Sequence, residues 1–253
     1  GGGAGATHRP THPVCGLLMA AILLASCFAE RSLRDASADV LTPLKTGDIE
    51  TARSRLRLYV GRDTEPLTQD DIYRAVFETV TENATDGVMA PLFYGIIGAL
   101  LPMGSVPLAI AYKAASTLDS MVGYRTLPYL HLGYFSAKLE DILTWLPCRL
   151  TVFTIGLLSG KPRQVWTICR RDAPQDPSPN AGWSECVYAA TLDVQVGGTN
   201  TYRGKVTQKP KLGNPITPIT PEKVTDALRI TRRTALLWIS IGVLMITTQS
   251  LFE

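Results

Sequence analysis

A dispersed set of acids, Asp63, Glu78, Glu82, Asp86, Asp119, Glu140 and Asp141, is interleaved with the cations Arg62, Lys113, Arg125, Lys138 and Arg149. Acids that can hold Mg²⁺, mixed with Arg and Lys that can clamp phosphate, suit nucleotide-dependent group transfer. The same mixture suits an ion pathway in a transporter, so the residue types leave both open. The spacing is most informative in ETVTENATDGVMAPLFY, residues 78–94. Arg74, Glu78 and Glu82 recur every fourth residue on one face, and Ile72, Val76 and Val80 do so on another, which is the signature of an amphipathic helix. Thr68 with Asp71 three residues later forms a capping box at its start. Asn83 and Asp86-Gly87 are residues that end helices, and an apolar run begins at once with Val88. Carboxylates at such a boundary are costly to desolvate unless a cation, a base or water meets them. For any one of them a solvated helix face is the simpler reading, but three acids and an Asn together ask for more.

The elements that must position these groups are unevenly apolar. Residues 1–13 are Gly-rich and then polar, and predict a disordered terminus. Val14 to Ala29 is about one bilayer's worth of apolar helix. Pro91 to Ala115 is long enough to span but is interrupted by Gly95, Gly98, Pro102, Gly104 and Pro107, which predicts a re-entrant hairpin or kinked pair. Ile142 to Ser159 is apolar and broken by Pro147 and Arg149, and Thr234 to Phe252 is a clean terminal span with Arg232-Arg233 before it. The polar regions are 30–86, 112–141 and 160–233, with Gly197-Gly198 and a Thr/Pro-rich linker from Pro210 to Pro221 in the last. The expected fold is therefore all-α: a multi-pass membrane protein with broken or re-entrant apolar segments and polar helical loops, 14–253 forming one membrane-embedded domain. The Arg pair before the last span puts 160–233 on the cytoplasmic side.

Net charge of +3 without a basic block excludes nucleic acid as the expected partner. Five scattered cysteines without a CxxC read as small hydrophobes in a reducing compartment, and three histidines without ligand spacing give no ground for a zinc site. No P-loop, G-x-S-x-G elbow, HExxH or EF-hand pattern is present.

The ordered set GRDT (61–64), ETVTENATDGVMAPLFY (78–94), YKAASTLDSMVGYR (112–125), SAKLEDILTWLPCRLT (136–151), RRD (170–172) and SPNAGWSE (178–185) closely resembles the adenosylcobinamide-phosphate synthase family of cobalamin biosynthesis. That resemblance implies a multi-pass inner-membrane ligase, its site loops facing the cytoplasm. It would join adenosylcobyric acid to aminopropanol, or its O-phosphate, by an amide bond made with ATP and Mg²⁺. It also implies Asp63, Glu78, Glu82, Lys113 and Asp119 as catalytic residues, Arg62, Asn83, Arg125, Arg149 and Asn180 as substrate-binding, and Asp86 with Glu82 as the metal pair. Ser116, Lys138-Leu-Glu140 and Asp176 depart from the family's usual Asn, Arg-Leu-Asp and His, and its D-x-x-x-G-D-P motif is not among these residues. A corrinoid-binding transport component and a non-catalytic scaffold are the alternatives.

One site requires one face. A plain count of four spans would set Lys113 and Asp119 across a ~30 Å hydrocarbon core from residues 78–86. The segment 91–107 is therefore expected to turn back without crossing, the Pro147/Arg149 segment likewise, so that Glu82, Asp86, Lys113, Asp119 and Asn180 line one cavity. Lys113 ends an apolar run six residues before Asp119. Lys113→Ala is expected to lower amide synthesis, on the order of the hundredfold that one lost charge-stabilising group costs, more than it lowers the amount of protein in the membrane; unaltered turnover assigns Lys113 to interfacial anchoring.

Overall fold

A computed structural model describes residues 13–123, 129 and 131–252. Arg125 and residues 1–12 lie outside this range. Ten α-helices among the described residues carry most of the chain: α1 (Pro13–Ser26), α2 (Glu30–Leu44), α3 (Ile49–Leu56), α4 (Gln69–Ala84), α5 (Ala90–Leu100), α6 (Ser105–Val122), α7 (Leu132–Leu158), α8 (Pro162–Asp172), α9 (Ala181–Leu192) and α10 (Pro221–Phe252). A β-hairpin, β1 (Gln195–Tyr202) with β2 (Lys205–Gly213), sits between α9 and α10.

The capping box at Thr68 is formed on both sides, Thr68 Oγ1 accepting from the Asp71 amide and the Asp71 carboxylate accepting from the Thr68 amide. Ile72, Val76 and Val80 are buried, as their spacing demands. They join Phe77, Tyr188 and Leu212 in a core shared by α4, α7, α8, α9 and the hairpin. Each large side chain fully enclosed there stabilises the fold by roughly 1.5–3 kcal/mol. A second apolar cluster unites the α1–α2 junction with α5 and Trp238 of α10.

Three expectations are corrected. The helix does not end at Asp86-Gly87. It passes through a single π-helical stretch, Thr85–Met89, directly into α5. The stop signals lose because this segment is packed on several sides: Thr85, Gly87, Val88 and Met89 are buried, and a helix end there would leave buried carbonyls without partners. Gly87 matters for contact, since its carbonyl accepts from Ala29 N at 2.8 Å and a Cβ at 87 would meet the Ala29 side chain at 2.9 Å. Second, Pro147 neither breaks its segment nor turns it back as expected. α7 is one helix of 27 residues with Pro147 inside. Proline removes the amide that would serve the Leu143 carbonyl, and the Tyr94 hydroxyl donates to that carbonyl instead, at 2.9 Å. Third, the fold is not wholly α. The hairpin occupies residues read as a glycine loop and a linker, and α10 begins at Pro221 rather than Thr234.

The interrupted segment 91–107 forms a helical hairpin, α5 packed on α6 through a short turn at 101–104. Gly98 permits the return, because a Cβ there would stand 2.4 Å from the Gly104 carbonyl oxygen. The 11 residues of α5 rise only ~16 Å, well short of a ~30 Å core. Among the described residues two helical stretches, Gly133–Leu158 and Pro221–Phe252, are long and apolar enough to cross a membrane, and α1 with α2, bent by 42°, meets the same test as a pair. These apolar helices are compatible with membrane association. α8 and α9 both pack along α7.

Tyr94→Phe leaves the Leu143 carbonyl without a donor, and the expected cost is about 1–3 kcal/mol of stability. Thermal unfolding of the detergent-solubilised protein reads this as a lowered midpoint, whereas an unchanged midpoint shows that α7 absorbs its proline without Tyr94.

Candidate functional site

The hairpin is fastened to the helices at charged points. Arg203 and Gly204 take positive φ and make its two-residue turn. Their amides both donate to Asp63, at 3.0 and 2.8 Å, and the Asp63 amide donates to the Thr201 carbonyl. Deeper in, Glu78 is 1% exposed. Its carboxylate is bonded to the Arg62 guanidinium, faces Arg74 Nη1 at 3.4 Å and accepts from the Gly197 amide at 2.9 Å. Arg62 and Arg74 both also donate to Asn200 Oδ1, and Arg74 reaches the Gly197 and Thr199 carbonyls. At the far end Asp172 accepts from Arg171 and, at 2.9 Å, from the Gly213 amide. GRD and RRD thus act on the same hairpin from opposite ends, and Glu78 grips it between them.

Held there, β2 directs Lys209 onto Glu185 of α9, Nζ to Oε1 at 2.9 Å. Glu185 is fully buried and its second oxygen, Oε2, has no hydrogen-bond partner. Burial, reinforced by the charges of Glu82 and Glu78 and opposed by Lys209, pushes the Glu185 carboxyl up to about 8. Glu82 is raised as well, chiefly by burial, with Asp176 and Glu78 adding to it and Lys209 and Arg62 opposing. Asp86 is raised well above the usual carboxylate range by burial and by the neighbouring charges of Glu140, Glu82 and Asp119, against Lys113. An acid-rich interior therefore runs from the hairpin to α6 and α7, along the helix face that carries Glu78 and Glu82 of α4 and Asp86 of the π-helical stretch. Further buried acceptors without partners are Asp119 Oδ1, Asp176 Oδ2 and Asn180 Oδ1. Thr144 on α7 donates to Glu140, and Tyr112 bonds Thr144 at 2.8 Å, closing the α6–α7 side.

Of the residues named from the sequence, Asp86 lies within electrostatic reach of Glu82, Lys113 and Asp119. Glu78, Arg62 and Asp63 lie at the hairpin anchors. Asn180 is buried and joins α9 to α7, its amide donating to the Asp141 carbonyl at 2.9 Å. Arg149 stacks over Trp183 at 4.5 Å and Trp145 at 5.4 Å and donates to the Pro179 carbonyl. Its cost inside an apolar stretch is met by these contacts. Asn83 is exposed and donates to the Thr79 carbonyl of its own helix. Arg125 lies outside the described residues. Sequence reasoning did not name Glu185, Asp176 and Lys209 as site residues. Glu185 closes a quoted motif, SPNAGWSE, so its signal was present. Lys209 had none, because its position depends on the hairpin.

No three His, Cys, Asp or Glu among the described residues converge as a ready-made metal cage. A Mg²⁺ site of one or two carboxylates completed by water and substrate phosphates needs none. Glu82 and Asp86, four residues apart and within electrostatic reach of each other, fit that kind of site, with Asp176 near the first and Asp119 near the second.

Relatives are found across most of the chain. The profile of the family described as CobD/Cbib protein matches residues 4–231. A cobalamin biosynthesis protein CobD of Synechocystis sp. is 57% identical over 89% of this chain and 66% of its own length. One of the same name from Halalkalibacterium halodurans is 40% identical over 89% of this chain and 70% of its own. A cobalamin biosynthesis protein CbiB of Salmonella arizonae is 40% identical over 87% and 68%. The chain therefore spans about two thirds of the length of these curated relatives. No solved structure matches it significantly.

Glu185 carries a testable sign. Its folded carboxyl titrates near 8 against 4.5 for an ordinary glutamate, so the folded state binds more protons between those values and stability falls as pH rises from about 4.5 to about 8. The slope is at most about 1.4 kcal/mol per pH unit. Glu185→Gln is expected to flatten that slope in unfolding measured across pH; an unchanged slope places the titrating group elsewhere.

Proposed function

This chain belongs to the CobD/Cbib protein family of cobalamin biosynthesis, and from that membership we propose that it is an ATP-dependent amide ligase joining adenosylcobyric acid to aminopropanol or its O-phosphate. The observation that supports this beyond kinship is that Asp86 lies within electrostatic reach of Glu82 in its own motif stretch and of Lys113 and Asp119 in the next. The inner bacterial membrane, with the site open to the cytoplasm where ATP is available, is the location that goes with this reading.

Amide formation joins the amine nitrogen to the carboxylate carbon, expels one carboxylate oxygen and takes protons from the amine. When bound, Mg²⁺-ATP supplies the phosphoryl or adenylyl group with which that oxygen departs. Glu82 and Asp86 are the residues that would hold Mg²⁺. Lys113 forms no ion pair within 4 Å among the described residues, which leaves its ammonium free to meet negative charge growing on the leaving oxygen. Glu185, titrating near neutrality, is matched to holding or accepting the amine proton. The Asn180 Oδ1 and Asp119 Oδ1 acceptors are suited to orient hydrogen-bond donors of the substrates. Arg62, Asp63 and Glu78 are positioning residues in this scheme: they hold the strand that carries Lys209 to Glu185.

The test is direct. Purified protein supplied with adenosylcobyric acid, Mg²⁺-ATP and either aminopropanol or its O-phosphate is expected to yield the amide with one nucleotide cleaved per bond. Corrinoid bound or moved across vesicles without chemical change, and no amide, would replace this reading by transport or scaffolding.

A further inference from the structure

A groove of about 270 Å³ lies between α2 and α10, and none of the residues of the acid-rich interior lines it. Four cations line it, Arg34 and Lys45 from α2 with the residue after it, and Arg229 and Arg232 from α10, against a single acid, Glu30. Leu41 and Leu228 supply apolar floor. Arg229 also pairs with Asp226 at 2.9 Å and Arg34 with Asp35 at 3.7 Å, in exposed pairs on their own helices. Exposed pairs of this kind contribute little and leave the guanidinium available. Arg232 and Lys45 have no ion pair within 4 Å among the described residues.

The level of the groove tells what it meets. α1 ends at Ser26 and the groove begins at Glu30, while on α10 Arg232 stands just before the stretch that exposes Leu236, Ile239, Val243 and Leu244. On α1, Leu17 and Ile22 are likewise exposed, at 72% and 66%. Along the chain, exposed apolar surface on α1 thus gives way to the cations of α2, and that of α10 adjoins Arg229 and Arg232, which line the same groove. Exposed apolar helix followed by cations is the arrangement that meets hydrocarbon and then headgroups.

We infer that the α2–α10 groove binds the phosphodiester headgroup of an anionic phospholipid, with the cations around the phosphate and the leucines against the glycerol and upper acyl chain. A free phosphate ion would use the cations but not the apolar floor, and a zwitterionic lipid would bring its own cation into a basic groove. The site is independent of the amide-forming reading, and its failure leaves that reading untouched.

Titrating phosphatidylglycerol into the detergent-solubilised full chain, with thermal unfolding as readout, is expected to raise the midpoint saturably. Phosphatidylcholine and inorganic phosphate are expected to leave it in place. Arg229→Gln with Arg232→Gln should weaken the apparent phosphatidylglycerol affinity roughly thirty-fold, about fivefold for each cation removed. Both side chains are exposed, and should that pair fail to fold, Arg34→Gln with Lys45→Gln on the opposite wall gives the same readout. An equal rise with phosphatidylcholine, a rise with phosphate alone, or undiminished affinity in the variants overturns the proposal.

Discussion

The buried carboxylate of Glu78 is the interaction on which the arrangement of the site depends. It is set between two guanidiniums and a backbone amide, and those guanidiniums share one asparagine oxygen from the hairpin. A buried charge is tolerable only when paired and hydrogen-bonded, and here its partners come from three places: the loop before α4, α4 itself and β1. A hydrophobic replacement could pack as well but could not specify which strand residue faces which helix residue. The register of the hairpin follows from this pairing, and with it the meeting of Lys209 and Glu185 some distance away. Asp63 at the turn and Asp172 at the base keep the rest of the ribbon from pivoting about that point.

With the hairpin fixed, the composition of the interior has a physical meaning. Glu82, Asp86, Glu140, Asp119 and Glu185 outnumber the cations that face them, and Asp119 Oδ1 and Glu185 Oε2 lack partners. Left so, they favour protonation, which is the direction in which Glu82, Asp86 and Glu185 are displaced. A bound cation or a positively charged amine lowers that cost. The surplus of buried negative charge is therefore suited to ligands that bring positive charge, as the proposed reaction does.

Much of this was legible in the residues. The capping box at Thr68, the apolar period of α4, the start of α9 at Asn180 and the turn at 101–104 all rest on local chemistry, and local chemistry is what a sequence displays. The nearness of Asp86 to Lys113 and Asp119 of the next motif stretch was also readable, because the Gly and Pro residues of 91–107 fold that segment back on itself. What escaped was decided by contacts between distant segments. Asp86-Gly87 carries the signs of a helix end, yet burial on both sides carries the helix through as a π turn. Pro147 carries the signs of a break, yet Tyr94, more than fifty positions earlier, supplies the missing donor. In the hairpin, Val196, Thr199, Thr201 and Tyr202 followed by Arg203-Gly204 are a strand and turn by type. The glycines at 197 and 198 and Pro210 obscure it, and Pro210 is tolerated because a two-stranded ribbon leaves β2 an open edge.

The central claim is that Glu78 holds the hairpin in place and through it the Lys209–Glu185 pair. Amide hydrogen exchange of residues 195–213 in Glu78→Gln tests it most directly, since the amide keeps the shape but removes the charge between Arg62 and Arg74. Breaking a buried pair costs roughly 3–5 kcal/mol, so the account predicts hairpin exchange faster by at least about a hundredfold, with exchange in the apolar half of α10 unchanged. Hairpin protection equal to that of the unaltered protein would contradict it.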